Sequence, residues 1–250
     1  VAVGDGIMQL LRAAVRALYP TCRCLACGEP RRITPGEPLC DTCLAELALH
    51  AIPDTACPHC LSPKRSGSPC GYCQDGGMIG LTHAYAPFYY GGVVQRLVVM
   101  FKFGAVDAAA RPLASAMAAC LGTARPDALV PVPLHRQRQR ERGVNQAHRL
   151  CHLVSEQTGL PIQEALVRTR KTKRQSSLEP RDRESNVRGA FAVTQPVAGM
   201  RLMLVDDVRT SGSTARACAQ ALREAGTAEV SLLTASVAPQ HARGWEMQQD

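Results

Sequence analysis

Two sets of residues in this chain are spaced to do chemistry. The first is a pair of adjacent acids, Asp206 and Asp207, followed closely by Thr210-Ser211-Gly212-Ser213-Thr214. The acids close an apolar run, Leu202 to Val205, that reads as a buried parallel strand. The Thr/Ser/Gly loop then leads into an alanine-rich amphipathic helix with its C-terminal stop at Gly226. Such a turn aims backbone N–H groups and hydroxyls at one point, where the helix dipole favours an anion. Carboxylates accept from hydroxyls, and Gly212 permits close approach to the backbone. Phosphate in the loop and vicinal hydroxyls on the acids describe a sugar phosphate. The plainer alternative is a βα turn whose acid caps the helix. A cap takes one acid, whereas here two precede four hydroxyl residues arranged around a glycine.

The second set is eight cysteines in four C-x-x-C pairs: Cys24/Cys27, Cys40/Cys43, Cys57/Cys60 and Cys70/Cys73. Each pair presents two thiolates from one tight turn, and two pairs complete a tetrahedral Zn²⁺ site. Gly28 and Gly71 fit such turns, and Leu44 onward reads as a short helix opened by the second pair. Redox C-x-x-C chemistry would call for one pair beside a βαβ pattern, which is lacking here. An iron–sulfur cluster uses the same thiolates, and spacing alone does not separate it from zinc. Interleaved pairing, first pair with third and second with fourth, is chemically possible, but sequential pairing of neighbours, Cys24/Cys27/Cys40/Cys43 and Cys57/Cys60/Cys70/Cys73, is expected because shorter loops cost less closure entropy. Cys22, Cys120, Cys151 and Cys218 stand apart, the last three within helical patterns that read as core.

Composition sets the frame. A chain of 250 residues, 46% apolar, has room for one full α/β domain and a smaller module. The excess of 29 basic over 21 acidic side chains, a net charge of +8, favours anionic partners such as diphosphate or nucleic acid. Aromatic residues are 4% of the chain, which weighs against base stacking along a long groove. The apolar helix from Ile7 to Leu18 is interrupted by Arg12 and Arg16 and is too short and charged for a membrane span. A cytoplasmic protein without a membrane span is therefore expected, and cysteines there serve metals rather than disulfides.

The elements that must position these residues follow in order. Helices are expected over Val93 to Phe103, Ala105 to Leu121 and Gln146 to Gln157, with strands over Ala84 to Tyr90 and Ala128 to Pro133. Pro161 to Val167 reads as extended, and Phe191 to Val193, Leu202 to Val205 and Glu229 to Val237 as further strands of a mainly parallel sheet. His135 to Gln146 is strongly basic. The polar stretch Arg168 to Arg188 is long for a loop in a compact domain, which points to a functional segment.

Val205-Asp206-Asp207-Val208-Arg209-Thr210-Ser211-Gly212-Ser213-Thr214 resembles the signature by which type I phosphoribosyltransferases bind 5-phosphoribosyl diphosphate (PRPP). Pro131-Val132-Pro133-Leu134, Arg142-Gly143-Val144-Asn145-Gln146, Gln175, and Arg183 to Phe191 around Asn186 precede it in the order seen in ComF/GntX-type proteins. The fold implied is α/β: a type I phosphoribosyltransferase-like parallel sheet flanked by helices, preceded by a small cysteine-rich double zinc-ribbon module. Its parts would be an N-terminal amphipathic helix over 1–19, the zinc module over 20–77, the phosphoribosyltransferase domain over 78–240 and a polar tail over 241–250.

The resemblance implies that Asp206 and Asp207 hold the ribose 2′- and 3′-hydroxyls and that Thr210 to Thr214 wrap the 5′-phosphate. Arg136, Arg138, Arg140 and above all Arg142 become diphosphate candidates, because the guanidinium fork matches phosphate oxygens. Lys102 matches an aromatic-flanked lysine of the family, and Gln175, Arg183 and Asn186 fall in a lid closing over substrate. Two structural Zn²⁺ ions and a Mg²⁺ accompanying PRPP are the cofactors implied. Association with natural competence implies partners in DNA uptake, single-stranded DNA and a helicase. A second function is thus open: a DNA-binding accessory protein that keeps a PRPP or phosphate pocket. No residue set names the acceptor.

Overall fold

The computed structural model describes residues 21–32, 38–64, 67–104, 107–134, 145–170, 187 and 189–238. The helix expected over Ile7 to Leu18, the tail 241–250, Arg136 to Arg142, and Gln175, Arg183 and Asn186 all lie outside the described residues. The cysteine-rich part holds β1 (Thr21–Arg23), β2 (Pro30–Arg32), α1 (Asp41–Leu49) and α2 (Gly71–Gln74). Then come β3 (Ala84–Tyr85), β4 (Phe88–Tyr89), α3 (Gly92–Gly104), α4 (Asp107–Cys120), β5 (Ala128–Pro131) and α5 (Gln146–Thr158). The chain continues through β6 (Leu166–Arg168), β7 (Phe191–Val193), β8 (Arg201–Arg209), α6 (Ser213–Glu224) and β9 (Glu229–Val237).

The expected parallel sheet flanked by helices forms in the order β3-β9-β8-β5, with β4 also on β9. All its pairings are parallel. β3 and β4 lie in line along one edge and are split by Pro87, which has no N–H to give to a ladder. Both faces of the central strands are buried, which is why they read as unbroken apolar runs. Alternate residues serve opposite faces. Met203, Val205, Leu129 and Leu233 pack against α3, α4 and α5. Leu202, Leu204, Val130 and Leu232 pack against the face of α6 that carries Ala215, Cys218 and Leu222.

Two expectations need correction. Phe191 to Val193 does not join the parallel sheet: β7 pairs antiparallel with β6 in a separate two-stranded ribbon packed over the α6 side. An isolated triplet of strand-forming residues carries no information about which partner it takes. And β8 does not end at Val205. It runs on through the acid pair to Arg209, because β9 is equally long and supplies partners as far as Arg209↔Val237. Among the described residues, no helix is long and apolar enough to cross a membrane.

Candidate functional site

β8 outlasts β5, and the site opens from that difference. Pro131 is the last residue of β5 to pair, with Val205, and the Val132 N–H donates to the Val205 carbonyl at 3.0 Å. There the chain turns away and a cavity of about 450 Å³ opens at the C-terminal ends of the parallel strands, the place where open α/β sheets hold ligands. Asp206, Asp207, Thr210, Gly212 and Thr214 all line it, as do Lys102, Arg168 and Tyr90.

The acid pair is unequal. Burial pushes the Asp206 carboxyl up to about 7, the neighbouring Asp207 charge adds to this, and the Asp207 N–H, Lys102 and Arg168 offset it in part. The Asp207 N–H donates to Asp206 Oδ1 at 2.9 Å. Two thiols lie close to Asp206, Cys151 of α5 and Cys218 of α6. Burial first, and the Asp206 charge second, raise both far above the ordinary thiol range, so they remain protonated. Asp207 is paired: Lys102, in the last turn of α3, brings Nζ to 3.0 Å from its Oδ2.

The loop divides its residues between two directions. Thr210, Gly212 and Thr214 face the cavity. Ser211 and Ser213 are buried and bond one another, Oγ to Oγ at 3.0 Å. Their hydroxyls bond within the loop rather than lining the cavity. Gly212 caps α6 with a φ of +69°, a left-handed conformation that glycine adopts without a Cβ penalty. The acids sit in the strand and do not cap the helix.

The opposite wall begins at α5. Asn145 caps that helix by accepting from the Ala147 N–H at 3.1 Å, and its Nδ2 donates to the Val132 carbonyl at 3.2 Å, tying the helix start to the end of β5. Gln146, buried beside it, donates to the Lys102 carbonyl at 3.5 Å. Arg168, the last residue of β6, lies over the Phe191 ring at 5.3 Å and reaches the cavity. Arg168 and Tyr90 are site residues that sequence reasoning did not single out, whereas Asn145 lay in the Arg142-Gly143-Val144-Asn145-Gln146 match, which gave it no role. Arg168 was legible only as the first residue of a long polar segment, and Tyr90 carried no signal of its own.

The four cysteine pairs gather as expected, in sequence: Cys24, Cys27, Cys40 and Cys43 in one cluster, Cys57, Cys60, Cys70 and Cys73 in the other, with every Sγ of a cluster within 4.8 Å of its fellows. A tetrahedral ion with metal–sulfur bonds of about 2.3 Å needs sulfur atoms about 3.8 Å apart. The Cys27–Cys40 and Cys57–Cys73 separations are 3.8 Å, and Cys60–Cys70 is 3.4 Å. Both clusters fit a metal ion of zinc's size and tetrahedral geometry. Their thiols are already split. Burial raises Cys24 and Cys57, but N–H donors from neighbouring backbone outweigh it and hold them at about 6 and about 7. Burial and neighbouring thiols push Cys43 and Cys73 the other way.

No family model matches the chain. It is 34% identical to the DNA utilization protein YhgH of Escherichia coli (strain K12) over 70% of this chain and 81% of that one. It is 30% identical to competence protein F of Haemophilus influenzae over 77% and 82% of the two chains. Among solved structures, a glutamine PRPP amidotransferase from B. subtilis complexed with ADP and GMP is 25% identical, with a TM-score of 0.36 over 51% of this chain and 26% of that one. By its likeness to competence protein F and YhgH over most of their length, the chain belongs to the ComF family.

Proposed function

We propose that this protein binds PRPP and acts as a phosphoribosyltransferase of the ComF type. The observation that carries the reading is a shared cavity: paired acids and a glycine-centred hydroxyl loop meet at the C-terminal end of β8, at the start of α6. In this reading Asp206 and Asp207 accept hydrogen bonds from the ribose 2′- and 3′-hydroxyls, and Thr210, Gly212 and Thr214, with the backbone of Ser211 and Ser213, enclose the 5′-phosphate. Lys102 and Arg168 are the cations set toward the diphosphate, and Arg142, with Gln175, Arg183 and Asn186, would complete the enclosure when substrate is bound. The acceptor attacks C1 of the ribose as the C1–O bond to diphosphate breaks, so a sugar cation is the character to stabilise. The protein contributes position and charge rather than a covalent partner.

The carboxylate oxygens of Asp206 and Asp207 in the cavity are of the hard kind that Mg²⁺ takes, and these residues would hold the ion beside PRPP, where it would supply positive charge against the leaving diphosphate. Two Zn²⁺ ions in the cysteine clusters would contribute folding energy rather than chemistry. The test is titration calorimetry with PRPP and Mg²⁺. Replacing Asp206→Asn together with Asp207→Asn is expected to abolish the binding heat while the thermal transition survives. Undiminished affinity would remove the assignment.

A second reading is favoured by the net charge of +8 and by relatives named for competence and DNA utilization. Here the protein serves DNA uptake as a single-stranded-DNA-binding accessory to a helicase, and the PRPP pocket acts as a sensor. Oligonucleotide binding that weakens steeply with salt would support it, whereas diphosphate release with an acceptor present would support catalysis.

A further inference from the structure

The second cysteine cluster touches the phosphate loop. Tyr72 lies between Cys70 and Cys73, and its hydroxyl donates to the Ser211 carbonyl at 3.3 Å across 139 residues of chain. Its hydroxyl also fills the space beside Gly212: a Cβ at position 212 would fall 2.1 Å from it. That adds a second reason for glycine there, independent of φ. The ring has two further close neighbours. The Arg209 guanidinium lies 4.4 Å from its centre, and Gly77 approaches so closely that a Cβ there would fall 2.3 Å from the ring.

Arg209 ends β8 immediately before the loop, and it is itself anchored to the cluster. It donates to the Cys60 carbonyl at 2.6 Å and to Ser62 Oγ at 3.1 Å while being 3% exposed. On the helix side, Arg216 donates to the Ser211 carbonyl at 2.9 Å and to the Gly77 carbonyl at 3.4 Å. Residues on both flanks of the loop are therefore held by backbone belonging to the metal-site turns. A metal ion drawing the four sulfurs of Cys57, Cys60, Cys70 and Cys73 to one point would fix the shape of those turns.

We propose that the second cysteine cluster is a positioning element of the phosphate loop, and that Tyr72 is the residue through which it acts. The proposal rests on the reading of residues 210–214 as a phosphate cradle, and its test separates the two. In the metal-loaded full chain, Tyr72→Phe keeps the ring against Arg209 and Gly212 and loses one hydrogen bond. PRPP affinity is expected to fall about fivefold, or ~1 kcal/mol, for a single neutral bond lost. Tyr72→Ala loses ring and bond together, and a loss of about thirtyfold is expected, largely recovered in the Phe variant. Both variants should retain two metal ions per chain by metal analysis.

A purely structural role would shift the melting temperature and leave affinity alone. A second measurement needs no ligand: amide exchange at residues 211–214 should quicken about tenfold or more in Tyr72→Ala. If Tyr72→Ala does not hold metal, the Phe variant alone decides, by exchange and affinity. PRPP affinity and loop exchange both unchanged would overturn the proposal. A wild-type protein that ignores PRPP would instead sink the cradle reading, and the exchange experiment would still decide whether Tyr72 sets the loop.

Discussion

Asp206 holds its proton into the neutral range because the fold places a carboxyl among apolar side chains and beside a second acid. An unfolded aspartate titrates near 4, and this one near 7, so the native state binds the proton more tightly between those values. Its contribution to stability is therefore full below about pH 4, falls as pH rises, and is lost above about 7. Asp206→Asn keeps the shape without the charge. In ligand-free protein it should raise the melting temperature by about 3–6 °C at pH 8 and leave it unaltered at pH 4, as scanning calorimetry would show. A variant that is more stable and binds less marks a residue kept for its ligand rather than for the fold. A sequence carries the identity of the two acids but not their inequality, which arises from the burial of Asp206 and from Lys102 reaching Asp207 from a distant helix.

At the scale of elements, β5 and α5 form the cavity wall only if the chain between them returns to the same place. Asn145 secures that return by binding one strand carbonyl and one helix N–H at once. Asn145→Ala should cost about 1–2 kcal/mol in denaturant unfolding, the sum of a helix cap and a partly buried hydrogen bond. PRPP affinity should fall with it, since Gln146 and the Lys102 carbonyl share that corner. The central strands and the helices α3, α4, α5 and α6 were legible from the sequence because apolar spacing is set by local geometry. The acid pair and its loop were legible because they are contiguous. β7 was misassigned to the parallel sheet, and Arg168 and Tyr72 were passed over. In each case the missing fact is a contact between segments far apart in the chain, and no local pattern records which distant segment will arrive.

Across the whole molecule the two cysteine clusters have different neighbours. The first packs into the core against α3: Cys24, Cys43 and Leu39 join the cluster that holds Val93 and Leu97. Glu46 of α1 accepts the Val93 N–H at 2.8 Å and the Arg96 guanidinium at 2.6 Å, capping α3 from outside. The second meets the loop of residues 210–214. Disrupting them should therefore have separable effects. Cys24→Ser is expected to lower the melting temperature by several degrees and leave PRPP affinity within about twofold, since its contacts are with the core. Cys57→Ser is expected to weaken PRPP binding tenfold or more at a smaller thermal cost, as calorimetry on both variants would resolve.

The chain joining the clusters also has a place in the architecture. His50 accepts the Tyr89 N–H, Ile52 donates to the Pro87 carbonyl, and Ala51 bridges to Phe88 in antiparallel sense. This short run occupies the outer rim of β4. A protein trimmed to its phosphoribosyltransferase-like part would lose it, and the bared Tyr89 N–H and Pro87 C=O would become a template for another molecule's backbone. Such a fragment should self-associate at concentrations where the intact chain stays dispersed.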